Sequence, residues 1–219
     1  MHFCTYAHNI DVESTGLGIN TGYLQNPGCV MCNRGNSYID VPQTFVANFI
    51  YETPTLAGWN SPTKFALGGW QLSGIYKAAS GFPFSIYYGG TSSWQYGGSD
   101  HPDFASGVTQ VHTNPGSLTN YLVKTDFVAP QQASAGGVGR NPPGAYFPGV
   151  NAWDLGMSKN FRFTERYRLQ FRWEMFNAFN RVTFSRPNNN FSSGSFGQIF
   201  STNGAYPARV MQGALKFYF

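Results

Sequence analysis

Charged residues are scarce in this chain. Asp, Glu, Lys and Arg make up 11% of its 219 residues, against about 25% in typical soluble domains. The 14 Lys and Arg residues are scattered and form no basic stripe, so we expect no nucleic-acid partner. No apolar run has the roughly 18 residues that a membrane-spanning helix needs. The first ten residues, MHFCTYAHNI, lack the basic and apolar segments of a signal peptide.

Residues for metal or catalytic chemistry are also few. The chain has three cysteines, Cys4, Cys29 and Cys32, and four histidines. Cys29 and Cys32 have the spacing of a redox or zinc pair, but no second pair and no βαβ pattern accompanies them. A local disulfide, inert thiols and a metal-binding pair remain open. The histidines lack the spacing of a metalloprotease. We therefore expect no enzyme activity, no metal and no cofactor.

Aromatic residues are abundant, at 17%, and they alternate with polar residues. The clearest run is Arg168–Phe176, RLQFRWEMF. A period of two predicts a strand, because a helix would mix the two sets of side chains. One face carries Leu169, Phe171, Trp173 and Met175, and the other carries Arg168, Gln170, Arg172 and Glu174. A similar run over 152–162 places Trp153, Leu155 and Met157 on one face.

The same pattern predicts six strands, near residues 3–8, 43–53, 69–79, 152–162, 168–176 and 209–219. Residues 82–88 are expected to prolong the third of them. The connections run long, medium, long, short and long, which places the long ones on one side of the sheet. Outer-membrane β-barrels show this asymmetry. The predicted fold is all-β: an antiparallel transmembrane β-barrel segment of about six meander strands, with long loops on one side.

Periodicity alone does not say whether the apolar faces contact lipid or a protein core. A soluble carbohydrate-binding β-sandwich would share the aromatic strands, and so would a small porin-like barrel, which needs about eight strands or more. Aromatic residues near the strand ends favour the membrane, because they resemble interfacial girdles. The charged face of Arg168–Phe176 would then line the lumen.

Four stretches carry a family resemblance: IDVPQTFVANFIYETP at 39–54, GGWQLSGIYKAASGFPFSI at 68–86, VGRNPPGAYFPGVNAWDLGMSKNF at 138–161 and LQFRWEMFNAFNRVTFSRPN at 169–188. The chain resembles the C-terminal barrel portion of TonB-dependent outer-membrane transporters. Within these it is similar to the Oar-like group, whose members carry a carboxypeptidase-regulatory-like domain.

The resemblance implies a function in ligand capture and energised uptake in the outer membrane of a Gram-negative bacterium. Such transporters are barrels of about 22 strands plugged by an N-terminal domain. Residues 1–219 are therefore expected to form one partial barrel without the plug. The implied partners are outer-membrane lipid, the rest of the barrel and the plug, TonB through the missing N-terminal part, and the barrel-assembly machinery.

The resemblance also implies two sets of site residues. The chain end matches a terminal signal read by the barrel-assembly machinery, with Ala214 where glycine is usual: Gln212, Ala214, Phe217 and Phe219. Aromatic and amide side chains of the long loops are expected to contact a sugar-like or peptide ligand: Trp94, Tyr96, Tyr146, Phe147 and Asn188. The ligand itself is not indicated by the sequence.

Overall fold

The computed structural model describes residues 2–12, 25, 29–54, 58, 60–89, 100–131 and 134–219. Its strands are β1 (His2–Tyr6), β2 (Ile10–Asp11), β3 (Gly35–Asn36), β4 (Gln43–Glu52), β5 (Trp70–Ala79), β6 (Asp103–Phe104), β7 (Phe127–Val128), β8 (Val150–Arg162), β9 (Arg168–Phe176) and β10 (Val210–Tyr218). Helix α1 spans Ser61–Leu67, and 3-10 turns span Val30–Asn33 and Lys124–Asp126. No helix among these residues is long and apolar enough to cross a membrane.

The main sheet contains six of these strands in the order β1-β4-β5-β8-β9-β10. Each of these six strands pairs antiparallel with the main-sheet strand that follows it along the chain. The predicted all-β meander is confirmed. In the described part of the chain the sheet is open, with β1 and β10 at its two edges.

The two ends of the main sheet differ as the sequence predicts. At the short-turn end, residues 53–69 join β4 to β5 and residues 163–167 join β8 to β9. Thr164 closes the second turn, because its hydroxyl accepts from the backbone N–H groups of Arg166 and Tyr167 at 3.3 and 3.0 Å. At the long-loop end lie residues 7–42, 80–149 and 177–209.

Two local expectations were incomplete or wrong. Helix α1 lies in the connection 53–69 and was not predicted; the Asn60 side chain caps it by accepting from the Thr63 N–H at 3.2 Å. Residues 82–88 prolong β5 only in part, and β5 itself ends at Ala79. Beyond Gly81, where a Cβ atom would overlap the Phe147 carbonyl, Pro83 bridges Tyr146 in the register that pairs Ala79 with Val150, and the Phe84 N–H donates to the Ala145 carbonyl at 3.1 Å. Tyr87 and Tyr88 instead form isolated bridges to Asn190 and Asp100.

The hydrophobic core of the described chain lies in its loops. We call the described parts of 80–149 and 177–209 the loop layer. Its buried cluster comprises Phe84, Ile86, Val111, Tyr121, Leu122, Phe127, Val138, Ala145, Phe196 and Ile199. None of these belongs to the main sheet. The long connections are therefore packed against one another, whereas the sequence pattern indicates only loops.

The open question about the cysteine pair is resolved. Cys29 and Cys32 form a disulfide at the start of the Val30–Asn33 turn. Cys4 is a free, exposed thiol on β1.

Candidate functional site

One face of the main sheet is apolar across its strands. Directly paired residues of neighbouring strands point to the same side. Leu155 pairs with Met175 and Met157 with Trp173. The register therefore joins the predicted rows into one surface, which we call the apolar face. Its predicted members are Trp153, Leu155, Met157, Leu169, Phe171, Trp173 and Met175, and β10 adds Met211, Leu215 and Phe217.

Aromatic rings cover the glycines of the apolar face. Gly74 in β5 is paired with Phe49 in β4, and a Cβ atom at Gly74 would overlap the Phe49 ring. A Cβ atom at Gly213 in β10 would lie 3.7 Å from the nearest atom of the Trp173 ring. A large ring over a glycine restores the packing that the missing side chain would have provided.

In the part of the chain that the structure describes, α1 covers the apolar face at Lys159, and no second sheet covers the rest of it. Leu169, Phe171, Trp173 and Met175 are only half-buried, and the buried cluster lies entirely in the loop layer. A soluble sandwich would bury this row against another sheet. The face is therefore available to an apolar environment outside the chain.

Lys159 is the charged member of the apolar face, and the sequence pattern missed its surroundings. It pairs with Phe171 and Trp70 on either side, yet it is only 4% exposed. Its Nζ donates to the carbonyls of Phe65 and Ala66 at 2.5 and 3.0 Å. These carbonyls belong to the last turn of α1, where C=O groups have no partner within the helix and favour a cation; the Ala66 carbonyl also accepts from Trp70 Nε1 at 2.9 Å. Rings of Phe65, Trp70 and Phe161 surround it at 5.9, 5.2 and 5.0 Å.

The opposite side of the main sheet is the polar face. Glu174 accepts from Arg172 on the same strand and from Gln212 Nε2 on β10 at 2.5 Å. The Arg168 guanidinium lies 4.2 Å from the Tyr218 ring centre, and the Tyr218 hydroxyl donates to Gln170 at 3.5 Å. The structure thus brings Arg168, Gln170, Arg172 and Glu174 onto one surface, where they form a ladder of polar contacts.

The predicted terminal signal lies on the edge strand β10. Gln212 and Ala214 are on the polar face, opposite Glu174 and Arg172. Phe217 is on the apolar face, and its ring lies 5.9 Å from that of Tyr167 and 6.2 Å from that of Phe219. Phe219 is 86% exposed. The last aromatic residue is therefore accessible at the short-turn end, and recognition by the assembly machinery stays a prediction.

The described loop residues that were predicted to contact ligand make contacts inside the loop layer and with the first long connection. The Tyr146 hydroxyl accepts from Asn36 Nδ2 at 3.0 Å, and its carbonyl accepts from the Tyr121 hydroxyl at 2.9 Å. Burial raises the pKa of Tyr121 to about 12. Phe147 stacks on Phe84 at 5.0 Å. Asn188 donates to the hydroxyls of Ser193 and Ser195. Trp94 and Tyr96 lie outside the described residues.

Arg140 joins the first long connection to the loop layer, and sequence reasoning did not single it out. It is 3% exposed, and burial lowers its pKa. Its guanidinium donates to the carbonyls of Asn33 and Asp11 at 3.2 and 2.8 Å and pairs with the Asp11 carboxylate. Gly35 allows this approach, because a Cβ atom there would overlap the Arg140 carbonyl. Asp11 is 129 residues away in sequence, so no local signal reveals the pair.

The described residues contain no group of three or more His, Cys, Asp or Glu side chains that could hold a metal ion. The expectation that the protein is not an enzyme stays a prediction.

A family model described as an outer membrane beta barrel domain matches residues 4–212. No curated protein and no solved structure matches the chain.

Proposed function

The chain belongs to the outer membrane β-barrel domain family, and from this premise we propose that it is the C-terminal part of a TonB-dependent receptor barrel that captures a ligand for energised uptake. The observation that carries the proposal is the open main sheet, whose edges β1 and β10 are unpaired within the described chain. Barrels of this kind have about eight strands or more. Six strands therefore require further strands to close, as expected for a segment of a larger barrel.

In this proposal the apolar face contacts lipid and the polar face lines the lumen. The half-buried row from Leu169 to Met175 supports the first assignment, because hydrocarbon would complete its burial. The ladder of Arg172, Glu174 and Gln212 supports the second, because a plug or water would solvate it. The short-turn end faces the periplasm and the long-loop end faces the outside.

The loop layer suits ligand capture. Long loops on one side of a barrel are usually functional, and here they share a core that holds their surface in a defined shape. The four sequence stretches that resemble TonB-dependent transporters also support the proposal that the protein is a receptor. The soluble sandwich is disfavoured for two reasons. The chain belongs to a membrane family, and no second sheet of its described part covers the apolar face.

Cross-linking tests whether the barrel closes within this chain. Cys4 on β1 is free and exposed, so single cysteines can be placed on β10 at Met211, Gly213, Leu215 and Phe217. In the native outer membrane, mild oxidation is expected to yield no Cys4–β10 cross-link, because other strands separate these edges. A cross-link within one chain would indicate a small self-closed barrel. A cross-link between two chains would indicate a porin-like assembly of copies. Either result would contradict the proposal.

Conductance separates a plugged receptor from an open porin. The purified native protein in a planar bilayer is expected to be closed, because a plug fills a TonB-dependent barrel. A steady open channel without any treatment would favour the porin-like alternative. Partition of the protein into the soluble fraction, without heat-modifiable gel migration, would instead favour the soluble module.

A further inference from the structure

A cavity of about 410 Å³ lies where the loop layer meets the polar face. Thr44 of β4 and Lys77 of β5 contribute from the sheet, and Phe147, Phe184, Arg186 and Tyr206 contribute from the loop layer. This volume lies within the range of about 300–1,000 Å³ for small-molecule sites. The cavity is at the long-loop end of the face that the proposed function assigns to the lumen.

The charge of the cavity is positive. Lys77 and Arg186 line it, and its lining includes no Asp or Glu among the described residues. Lys77 Nζ donates to the Tyr206 hydroxyl at 3.2 Å and lies 5.6 Å from the centre of that ring. An ammonium group has three donors, so this contact positions Lys77 and leaves it able to bind an anion.

Arg186 supplies a second cation to the cavity. It is exposed, and it forms no ion pair with any residue that the structure describes. Burial raises the pKa values of Tyr38 and Tyr87, and the positive charge of Arg186 opposes this rise in both. A planar guanidinium is well suited to bind a carboxylate through two hydrogen bonds.

The remaining walls are largely apolar. Phe82, Phe147 and Phe184 line the cavity, and Phe82 stacks on Tyr38 at 6.0 Å while remaining 43% exposed. Small-molecule sites commonly combine such walls with a few polar groups that fix orientation. An inorganic anion would leave these rings unused.

We propose that this cavity binds a small organic anion, with its carboxylate on Lys77 and Arg186 and its apolar part among the phenylalanines. This proposal adds a ligand class to the proposed function. It rests on that function for the route by which the ligand reaches the cavity. Equilibrium binding needs no transport, so the site can be tested separately.

The test compares three probes on the protein in lipid nanodiscs by isothermal titration calorimetry. The probes are 3-phenylpropionate, its uncharged analogue 3-phenylpropionamide, and inorganic phosphate. We expect the carboxylate to bind about tenfold more tightly than the amide or more, because charge-assisted contacts are about twice as strong as neutral ones. Phosphate is expected to bind more weakly than the aryl acid, because it cannot use the apolar walls.

Matched variants locate the binding. Lys77→Gln and Arg186→Gln are each expected to weaken 3-phenylpropionate binding about tenfold or more and to leave the amide unaffected. Lys216→Gln is the control for the first, since Lys216 also lies over a tyrosine ring, Tyr218, at 4.8 Å but outside the cavity. Arg181→Gln is the control for the second, because Arg181 is an exposed arginine of the same loop that does not line the cavity. Heat-modifiable gel migration confirms that each variant is folded.

Several results would overturn the site. These are no binding of 3-phenylpropionate, equal affinity for acid and amide, phosphate binding as tightly as the aryl acid, or equal losses in the control variants. If binding behaves as expected but the barrel proves self-closed or open, the proposed function fails and the site stands. If the barrel is plugged and part of a larger sheet but the probes do not bind, the site fails and the proposed function stands.

Discussion

Replacing Arg140 with glutamine should detach the first long connection from the loop layer. The substitution removes the cation that pairs with Asp11 and a donor to the Asn33 carbonyl. Breaking a buried ion pair by removing one partner costs about 3–5 kcal/mol. The Asp11 side chain is 28% exposed, so water will partly compensate it and the lower end, about 3 kcal/mol, is appropriate.

Native-state hydrogen exchange measures this loss locally. The Ser37 amide, which donates to the Asn9 carbonyl at 2.8 Å, reports on the first connection. Local opening that is easier by about 3 kcal/mol should speed its exchange by roughly a hundredfold. Amides of β8 and β9 should not change, because the strand ladder does not involve Arg140.

Arg181→Gln is the matched control, because that exposed arginine lies in the loop layer away from the Asp11 pair. It should leave Ser37 exchange unaltered. The reasoning would be refuted if Arg140→Gln changed Ser37 exchange by less than about fivefold. It would also be refuted if β8 and β9 lost protection to the same extent, since the substitution would then act on the whole protein.

Three further predictions concern the two faces and the loop layer. Phe171→Arg should lower the free energy of unfolding in lipid vesicles by about 2–4 kcal/mol, as measured by urea titration. Gln170→Arg on the polar face should change this free energy little. Equal effects of the two substitutions would contradict the assignment of the faces. Gly74→Val should reduce the folded, heat-modifiable fraction because its side chain would overlap the Phe49 ring, whereas Gly58→Val meets nothing within 4 Å and should not. Burial lowers the pKa of His101, whose Nδ1 donates to the Ile86 carbonyl at 2.6 Å. The loop layer should therefore have its full stability above about pH 6.5, the pKa of histidine in the unfolded chain, and lose stability as the pH drops through the lower pKa of the folded state. His101→Asn should abolish this pH dependence. If the pH profile of exchange protection were the same in the variant as in the unsubstituted protein, His101 would not be its cause.

The strands of the main sheet and their faces followed closely from the sequence. Alternation in RLQFRWEMF and AWDLGMSKNFR specifies both the strands and the side to which each residue points, because a one-residue shift in register would reverse every side chain. The short hairpin at 163–167 and the long loops were equally visible, since strand patterns stop where polar and glycine-rich residues begin. The rows on the apolar and polar faces could therefore be predicted before any register was known.

The loop contacts were hidden because they depend on residues distant in sequence. Ile86, Leu122 and Phe196 have no common period, so their shared core forms only when the two connections 80–149 and 177–209 pack together. The pairing of Arg140 with Asp11 is of the same kind. So is the cavity of Lys77 and Arg186, which lies between a strand and a loop more than a hundred residues further along the chain.

The sequence by itself determined the strands, which residues of each strand share a face, and the difference between the short-turn and long-loop ends of the main sheet. These features depend on neighbours within a few residues. Only the tertiary structure decided where the core lies, how α1 covers Lys159 and which cations share a cavity. Those features arise from contacts between segments that the chain brings together on folding, and their energies depend on burial and partners that no local pattern records.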